Sequence, residues 1–160
     1  MRPTRPRRTD PASAVEADLR ARALRLLARR EHSRAELRRK LAAHADDGDD
    51  LEALLDDFTR RGWLSEERFV EQAVRARAQR HGPLRIAHHL REKGIGEEAI
   101  ARAVADVRAG QHEALAAAWR SRFGRLPADQ AEKARQVRFL QGRGFPVEAV
   151  LRFLREAGGR

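Results

Sequence analysis

The sequence predicts an all-α protein: three tandem three-helix units stacked into an elongated, curved array. Three observations carry that prediction. A short phrase occurs twice, fifty residues apart, as Leu90, Gly94, Ile95, Glu98, Ile100, Val104 and again as Leu140, Gly144, Phe145, Glu148, Val150, Leu154. An internal period of this length marks stacked helical units rather than one enzyme core. Apolar residues recur at helical spacing along most of the chain, and no stretch reads as a strand. Aromatics are 5% of the 160 residues and tyrosine is missing, so the core is mostly Leu, Ala, Val and Ile. That composition suits many small helix–helix contacts.

The first half of the phrase is helix-end chemistry. A glycine past the last turn adopts the left-handed conformation, and the next residue packs back on the one four positions before the glycine. Leu90 with Ile95, and Leu140 with Phe145, fit that contact. Phe58, Gly62 and Trp63 repeat it at a different turn within their unit. A helix stop does not account for the second half, in which Glu98/Glu148, Ile100/Val150, Ala103/Phe153 and Val104/Leu154 stay in register.

The elements follow in order. Residues 1–13 form a basic arm, expected to be disordered, with Arg2, Arg5, Arg7 and Arg8. Ser13 and Glu16 make a capping box for a first helix over about 14–30, with Val15, Leu19, Ala23, Leu26 and Leu27 on one face. Ser33 and Glu36 cap a second helix with a narrow Leu37/Leu41 stripe. An acidic linker at 45–50 leads to Asp49 and Glu52, which open a third helix carrying Leu51, Leu54, Leu55 and Phe58. These three helices make unit one, 14–61. Ser65 caps the fourth helix, which buries Phe69, Val70, Ala73 and Val74. Gly82-Pro83 starts the fifth, with Ile86 and Leu90 inward. Gly96, Glu97 and Glu98 open the sixth, with Ile100, Ala103, Val104 and Val107 inside, and complete unit two, 65–108. The seventh helix, about 111–123, is anchored by Leu115 and Trp119. Pro127 opens the eighth and Pro146 the ninth, completing unit three, 111–157. Helices this short are marginal alone, so neighbouring units must share apolar stripes.

Composition excludes several classes of function. There is no cysteine, hence no disulfide framework and no thiolate metal site. No apolar run approaches a membrane span, and residues 1–15 lack the apolar stretch of a signal peptide. A cytoplasmic setting fits both. The formal charge is +10, unevenly placed: residues 1–44 carry a net +8, residues 45–57 a net −7, and residues 58–160 a net +9. A basic surface draws polyanions or acidic protein faces through salt-sensitive attraction.

The search for chemistry finds no site. Asp46, Asp47, Gly48, Asp49 and Asp50 suggest a calcium loop, but with Gly48 in the glycine slot the first ligand would be Ala43 and the last Leu54. His81, His88, His89 and His112 lack metal-ligand spacing and read as exposed or boundary residues. No phosphate-cradling loop, nucleophile elbow or zinc-protease helix is present. The chain therefore reads as a non-enzyme without cofactor or metal. Trp63 and Trp119 could stack on bases, but their places after Phe58-x-x-x-Gly62 and on an apolar stripe make them core residues.

The basic clusters are more informative. Arg34 and Arg38 share a face of the second helix beside Arg39 and Lys40, at a helix start where the dipole disfavours them. Arg29 and Arg30, at a helix end, have a structural reason. Arg75, Arg77 and Arg80 crowd the fourth helix, and Arg135, Arg138 and Arg143 recur late. A solvated face and a continuous basic track both account for this recurrence. If it is a track, Arg34→Glu with Arg38→Glu weakens partner binding without unfolding the protein.

Over about residues 20–156 the chain resembles the RecX family, bacterial regulators of the RecA recombinase. The resemblance rests on Ala23-Leu24-x-x-Leu27 with Arg30, then Ser33-x-x-Glu36-Leu37-x-x-x-Leu41. It continues through Gly62-Trp63-Leu64, Arg68-Phe69 and Gly82-x-x-x-Ile86-x-x-x-Leu90-x-x-x-Gly94-Ile95. It closes with Arg138-Phe139-Leu140-x-x-Arg143-Gly144-Phe145. Each piece is helix punctuation; the order and spacing carry the specificity. The acidic insertion at 46–50 and the Arg-rich arm at 1–8 depart from the pattern. The resemblance implies three tandem three-helix units forming a crescent without a cofactor. It implies binding to the RecA–single-stranded-DNA filament along its helical groove, with suppressed ATP hydrolysis, strand exchange and coprotease activity. Its motif positions are scaffold, so the candidate contacts are the ten basic residues from Arg34 to Arg143 named above. Weak direct single-stranded DNA binding, a monomeric state and no membrane partner complete the expectation. The alternatives are a general single-stranded nucleic-acid-binding helical protein and a protein adaptor whose charge serves solubility.

Overall fold

The computed structural model describes residues 11–46 and 50–159, with side chains from Ala14 onward. The basic residues Arg2 to Arg8, and Asp47, Gly48 and Asp49 of the acidic linker, lie outside the described residues. The described residues form helices joined by turns, and the chain divides into two compact units, Met1–Glu66 and Glu67–Arg160.

The first unit holds α1 (Pro11–Leu27), α2 (Arg34–Ala42) and α3 (Leu51–Arg60). Leu19 and Ala23 of α1, Leu37 and Leu41 of α2, and Leu54, Leu55 and Phe58 of α3 form one buried cluster, closed by Leu64. Helix α1 begins at Pro11, so Ser13 lies inside it rather than ahead of it as expected. The Ser33 hydroxyl accepts from the Glu36 N–H at 3.1 Å, as its spacing predicts. Asp50 caps α3, accepting from the Ala53 N–H at 2.9 Å; the expected Asp49 lies outside the described residues. Arg20 of α1 reaches the Asp57 carboxylate of α3 at 2.8 Å. Arg20 and then Arg61 hold that carboxyl down to about 2.

Three helix ends carry the predicted stop in full. Gly62, Gly94 and Gly144 have φ of 71°, 76° and 91°. The following N–H reaches back five residues, Trp63 to the Phe58 carbonyl, Ile95 to Leu90 and Phe145 to Leu140, at 2.9–3.2 Å. Ile95 and Phe145 then bury completely against their cores. Trp63 does not. It stacks edge-on to Phe58 at 5.3 Å but stays 40% exposed, and Leu64 takes the buried place. The expectation of a core Trp63 is corrected accordingly.

The second unit holds α4 (Glu66–Arg77), α5 (Pro83–Glu92), α6 (Glu97–Arg122), α7 (Gln130–Gly142) and α8 (Val147–Gly158). Helix α6 runs continuously for 26 residues where the sequence suggested two helices meeting near Gly110. A lone glycine inside a helix costs about 1 kcal/mol. Without a proline or capping residue beside it, and with the helix formers Ala109 and Gln111 on either side, that cost does not end the helix. One α6 therefore serves two clusters. Ile100, Val104 and Val107 pack with Phe69 of α4 and Ile86 and Leu90 of α5. Leu115, Ala116 and Ala118 pack with Leu140 of α7 and Phe145, Val150 and Phe153 of α8.

Helix α7 opens at Asp129, whose carboxylate accepts from the Glu132 N–H at 2.7 Å, while Glu132 accepts from the Ala128 N–H at 2.9 Å. Pro127, expected as the opening residue, lies in the preceding loop. Trp119 is half-buried against the second cluster, and its indole donates to the buried Gln136 at 2.8 Å. Gln136 donates in turn to the Arg125 carbonyl at 3.1 Å, so this buried amide is satisfied.

Candidate functional site

The N-terminus of α5 and the turn between α7 and α8 are joined through backbone. The Gly82 N–H donates to the Arg143 carbonyl at 2.8 Å, and the Leu84 N–H to the Gly144 carbonyl at 3.0 Å. Pro83 between them has no N–H to place. The carbonyl end of α7 thus meets the donor end of α5, an arrangement both helix dipoles favour. The approach is close: a Cβ on Gly82 would stand 2.4 Å from the Gly144 carbonyl oxygen. The Arg85 guanidinium adds a hydrogen bond to the Gly142 carbonyl at 2.9 Å.

This joint brings cations from separate elements around His81. A cavity of about 620 Å³ is lined by Arg77, His81, Arg85, His88 and His89, together with Leu84 and Glu92. A second, of about 440 Å³, shares His81 and Arg85 and adds Arg138, Phe139 and Arg143. The Arg143 guanidinium lies over the Phe139 ring, 5.2 Å from its centre. Burial, then Arg85, Arg143, Arg77 and Arg80, push the His81 imidazole below its usual 6.5. Among the described residues, no carboxylate lies within ion-pair distance of Arg77, Arg80, Arg85, Arg138 or Arg143.

The candidate contacts therefore separate into groups. Arg77, Arg138 and Arg143 line these cavities, while Arg80 lines neither and acts on His81 only through its charge. Arg75 is exposed on α4 and lines neither cavity. Arg135 borders a different hollow with Arg122, Arg125 and Glu132. In the first unit, Arg34 pairs with Glu52 and Asp56 of α3, each at 2.7 Å, and Arg38 also pairs with Glu52. Glu52, held first by Arg34 and then by Arg38, lies below its usual carboxylate range. The idea that these two arginines lack a structural reason is corrected: they tie α2 to α3. Lys40 lies 3.2 Å from the His32 ring, and Arg39 is exposed.

A consequence follows for the double reversal Arg34→Glu with Arg38→Glu. It sets carboxylates against Glu52 and Asp56, so the unfolding midpoint in urea is expected to fall. An unchanged midpoint would show that the α2–α3 pairs carry no stability.

Two members of the groove escaped the sequence reading. His81 was set aside as a boundary histidine. Arg85 sits in the first turn of a helix, where a cation opposes the dipole. That same signal had drawn attention to Arg34 and Arg38, and at Arg85 no acid offsets it. Among the described residues, no three acidic or histidine side chains group as metal ligands, and no helix is long and apolar enough to cross a membrane.

Fold and groove together define an all-helical protein of short modules with an arginine-lined groove in its second unit. Family models for the first, second and third three-helix domains of RecX match residues 20–56, 65–104 and 109–154. The chain is 48% identical over 139 residues to the regulatory protein RecX of Ralstonia nicotianae, covering 87% of each chain. It is 48% identical over 142 residues to that of Leptothrix cholodnii, covering 89% of this chain and 90% of the relative. The crystal structure of RecX from Lactobacillus salivarius superposes with a TM-score of 0.74 at 17% identity, over 90% of this chain and 97% of that one. This chain belongs to the RecX family of regulatory proteins.

Proposed function

We propose that this protein is a non-enzymatic negative regulator of the RecA recombinase. It binds the RecA–single-stranded-DNA filament in the cytoplasm and lowers its ATPase, strand-exchange and coprotease activities. Family membership supports the reading. The observation that carries it is the convergence of four arginines, Arg77, Arg85, Arg138 and Arg143, free of carboxylate partners among the described residues, on one groove. A filament is a repeating, negatively charged lattice. A protein made of small modules can lay several weak contacts along it, and these act together through effective concentration.

The test is the DNA-dependent ATPase rate of the cognate RecA on single-stranded DNA, titrated with this protein. Inhibition well below one copy per RecA protomer indicates capping or disruption; inhibition only near saturation indicates coating of the groove. No inhibition by a folded protein overturns the RecA reading. The same groove would then favour a second reading, a general single-stranded nucleic-acid-binding protein.

A further inference from the structure

The groove in the second unit has more detail than a basic surface needs. Its cations come from separate places in the chain: Arg77 at the end of α4, Arg85 on α5, Arg138 on α7 and Arg143 in the turn beyond, with Arg80 past α4 adding to the field at His81. They surround one imidazole. His81 lines both cavities, and its Nδ1 is buried without a hydrogen-bond partner. A third, largely apolar cavity of about 240 Å³ lies on another side of the ring, where Asp106 and Gln111 of α6 border it. Glu92, which lines the cavity of about 620 Å³, already sits 3.5 Å from His88. Like charges gathered this way repel one another, and within the described residues no carboxylate relieves the five guanidinium groups.

We propose that this groove is a phosphate-binding site for a single-stranded polynucleotide, in which His81 engages a backbone phosphate as an imidazolium. The proton comes from solvent: neutral imidazole, one proton and one phosphodiester anion give an ion pair, with no bond made or broken in the strand. Three features favour a polynucleotide over a stretch of acidic protein. The cations form two adjoining lobes around a shared centre, which suits a ligand charged at every repeat. Guanidinium forks match the oxygens of a phosphate. Apolar faces lie among the charges, in Leu84, 49% exposed, and in Phe139 beneath Arg143. These faces suit the sugar and base surfaces between phosphates.

The sign of the proton linkage follows from the surroundings of His81. In the free protein, burial and the guanidinium groups hold the imidazole below 6.5, so it is neutral at neutral pH. A bound phosphate reverses the local field and raises the imidazole above its free value. The bound state then holds more protons than the free state. Affinity rises as pH falls between the two values, by at most about tenfold per pH unit for one proton. It is flat below the free value and above the bound one. Asp106 on α6 and Glu92 on α5 are the acids that line the cavities around the ring. His88 and His89 line the same cavity, so substitution is needed to separate them from His81.

The proposal shares the polyanion reading of the groove but needs no RecA, so the experiment omits RecA and its failure is distinct from failure of the ATPase test. The full chain is titrated against a short dye-labelled oligothymidylate at fixed salt, with anisotropy as readout, between about pH 8 and about pH 5.5. Affinity is expected to rise as pH falls. His81→Gln is expected to remove that slope, with helicity unchanged by circular dichroism, and His88→Gln to keep it. Arg77→Gln with Arg143→Gln is expected to weaken binding about tenfold or more and to reduce the salt dependence. Unlabelled oligothymidylate should displace the probe, while inorganic phosphate, thymidine monophosphate and polyglutamate at matched charge should not. A pH slope that survives His81→Gln or vanishes with His88→Gln overturns the proposal. So does unchanged affinity in the double arginine variant. Equal competition by polyglutamate replaces the polynucleotide with an acidic protein, and equal competition by the monophosphate reduces the site to a free-anion pocket.

Discussion

Gly82→Ala unseats the turn between α7 and α8 from the start of α5, whereas Gly96→Ala, in the same capping role one helix later, leaves the second unit intact. Both glycines precede a helix in extended backbone, with φ of −79° and −69°. Neither has a left-handed conformation to protect. What differs is the space. A Cβ at Gly96 meets nothing within 4 Å, but at Gly82 it would lie 2.4 Å from the Gly144 oxygen and 2.6 Å from the Phe145 nitrogen. Backbone atoms cannot swing aside as a flexible side chain would. The turn must move as a body, stretching the Gly82–Arg143 and Leu84–Gly144 hydrogen bonds and lifting Phe145, which is 0% exposed, from its cluster. Overpacking of this kind costs about 3 kcal/mol once buried hydrogen bonds are lost with it. Gly96→Ala should cost less than about 1 kcal/mol, the difference between glycine and alanine at a helix cap. Urea unfolding of the two variants is the measurement. Equal midpoints would mean that the turn is not seated on α5. The same displacement moves Arg85 and Arg143 apart, so the groove loses its shape along with the joint.

The contrast also explains how far the sequence could be read. The recurrent glycine phrase reports local geometry faithfully, because a left-handed residue followed by an apolar one is set by six consecutive residues. All three predicted stops have that geometry. Whether the apolar residue is then buried depends on what arrives from elsewhere. Ile95 and Phe145 find a cluster, and Trp63 finds the edge of Phe58 and the Arg61 guanidinium. The continuity of α6 was hidden by Gly110, a helix breaker in isolation that flanking helix formers and two apolar clusters override.

The basic residues show the same division. Each run of arginines looks alike in sequence, because ion pairing is a matter of what faces the run. Arg34 and Arg38 face an acidic edge of α3, eighteen and fourteen residues further on in the Glu52 pairs. Arg77 and Arg143 are brought toward one another by a joint made entirely of backbone, which no side-chain pattern announces. Arg85 could have been found, since a cation in a helix's first turn without an acid nearby is out of place.

The other large effect belongs to the first unit, and its sign depends on which partner is removed. Glu36 is 4% exposed, and both of its oxygens are held by the Arg30 guanidinium, at 2.7 Å and 3.0 Å. The Glu36 hydrogen bond is the main reason the guanidinium holds its proton more tightly than usual. Arg30→Ala takes away the guanidinium that holds both oxygens of a carboxylate buried at the start of α2. Removing one member of a fully buried pair costs about 3–5 kcal/mol; with Arg30 partly in solvent, about 2 kcal/mol is the expected loss. Glu36→Ala leaves the Arg30 guanidinium, whose side chain is 43% exposed and rehydrates, so it should cost about 1 kcal/mol or less. The backbone beside the pair constrains what either change disturbs. His32 is 1% exposed, its Nδ1 donating to the Arg30 carbonyl at 3.0 Å while its Nε2 accepts from Lys40 at 3.2 Å. Neither substitution removes that carbonyl, so the neutral His32 keeps both partners and the comparison isolates the carboxylate. Burial is the chief cause holding His32 below 6.5, and unit one loses stability as pH drops beneath that value, because the unfolded chain then binds a proton the folded one refuses. The two variants are therefore compared at a pH above 7, where this term is constant. Equal losses for Arg30→Ala and Glu36→Ala would show that the carboxylate finds water or another donor, and that Arg30 stabilises α2 by contact alone.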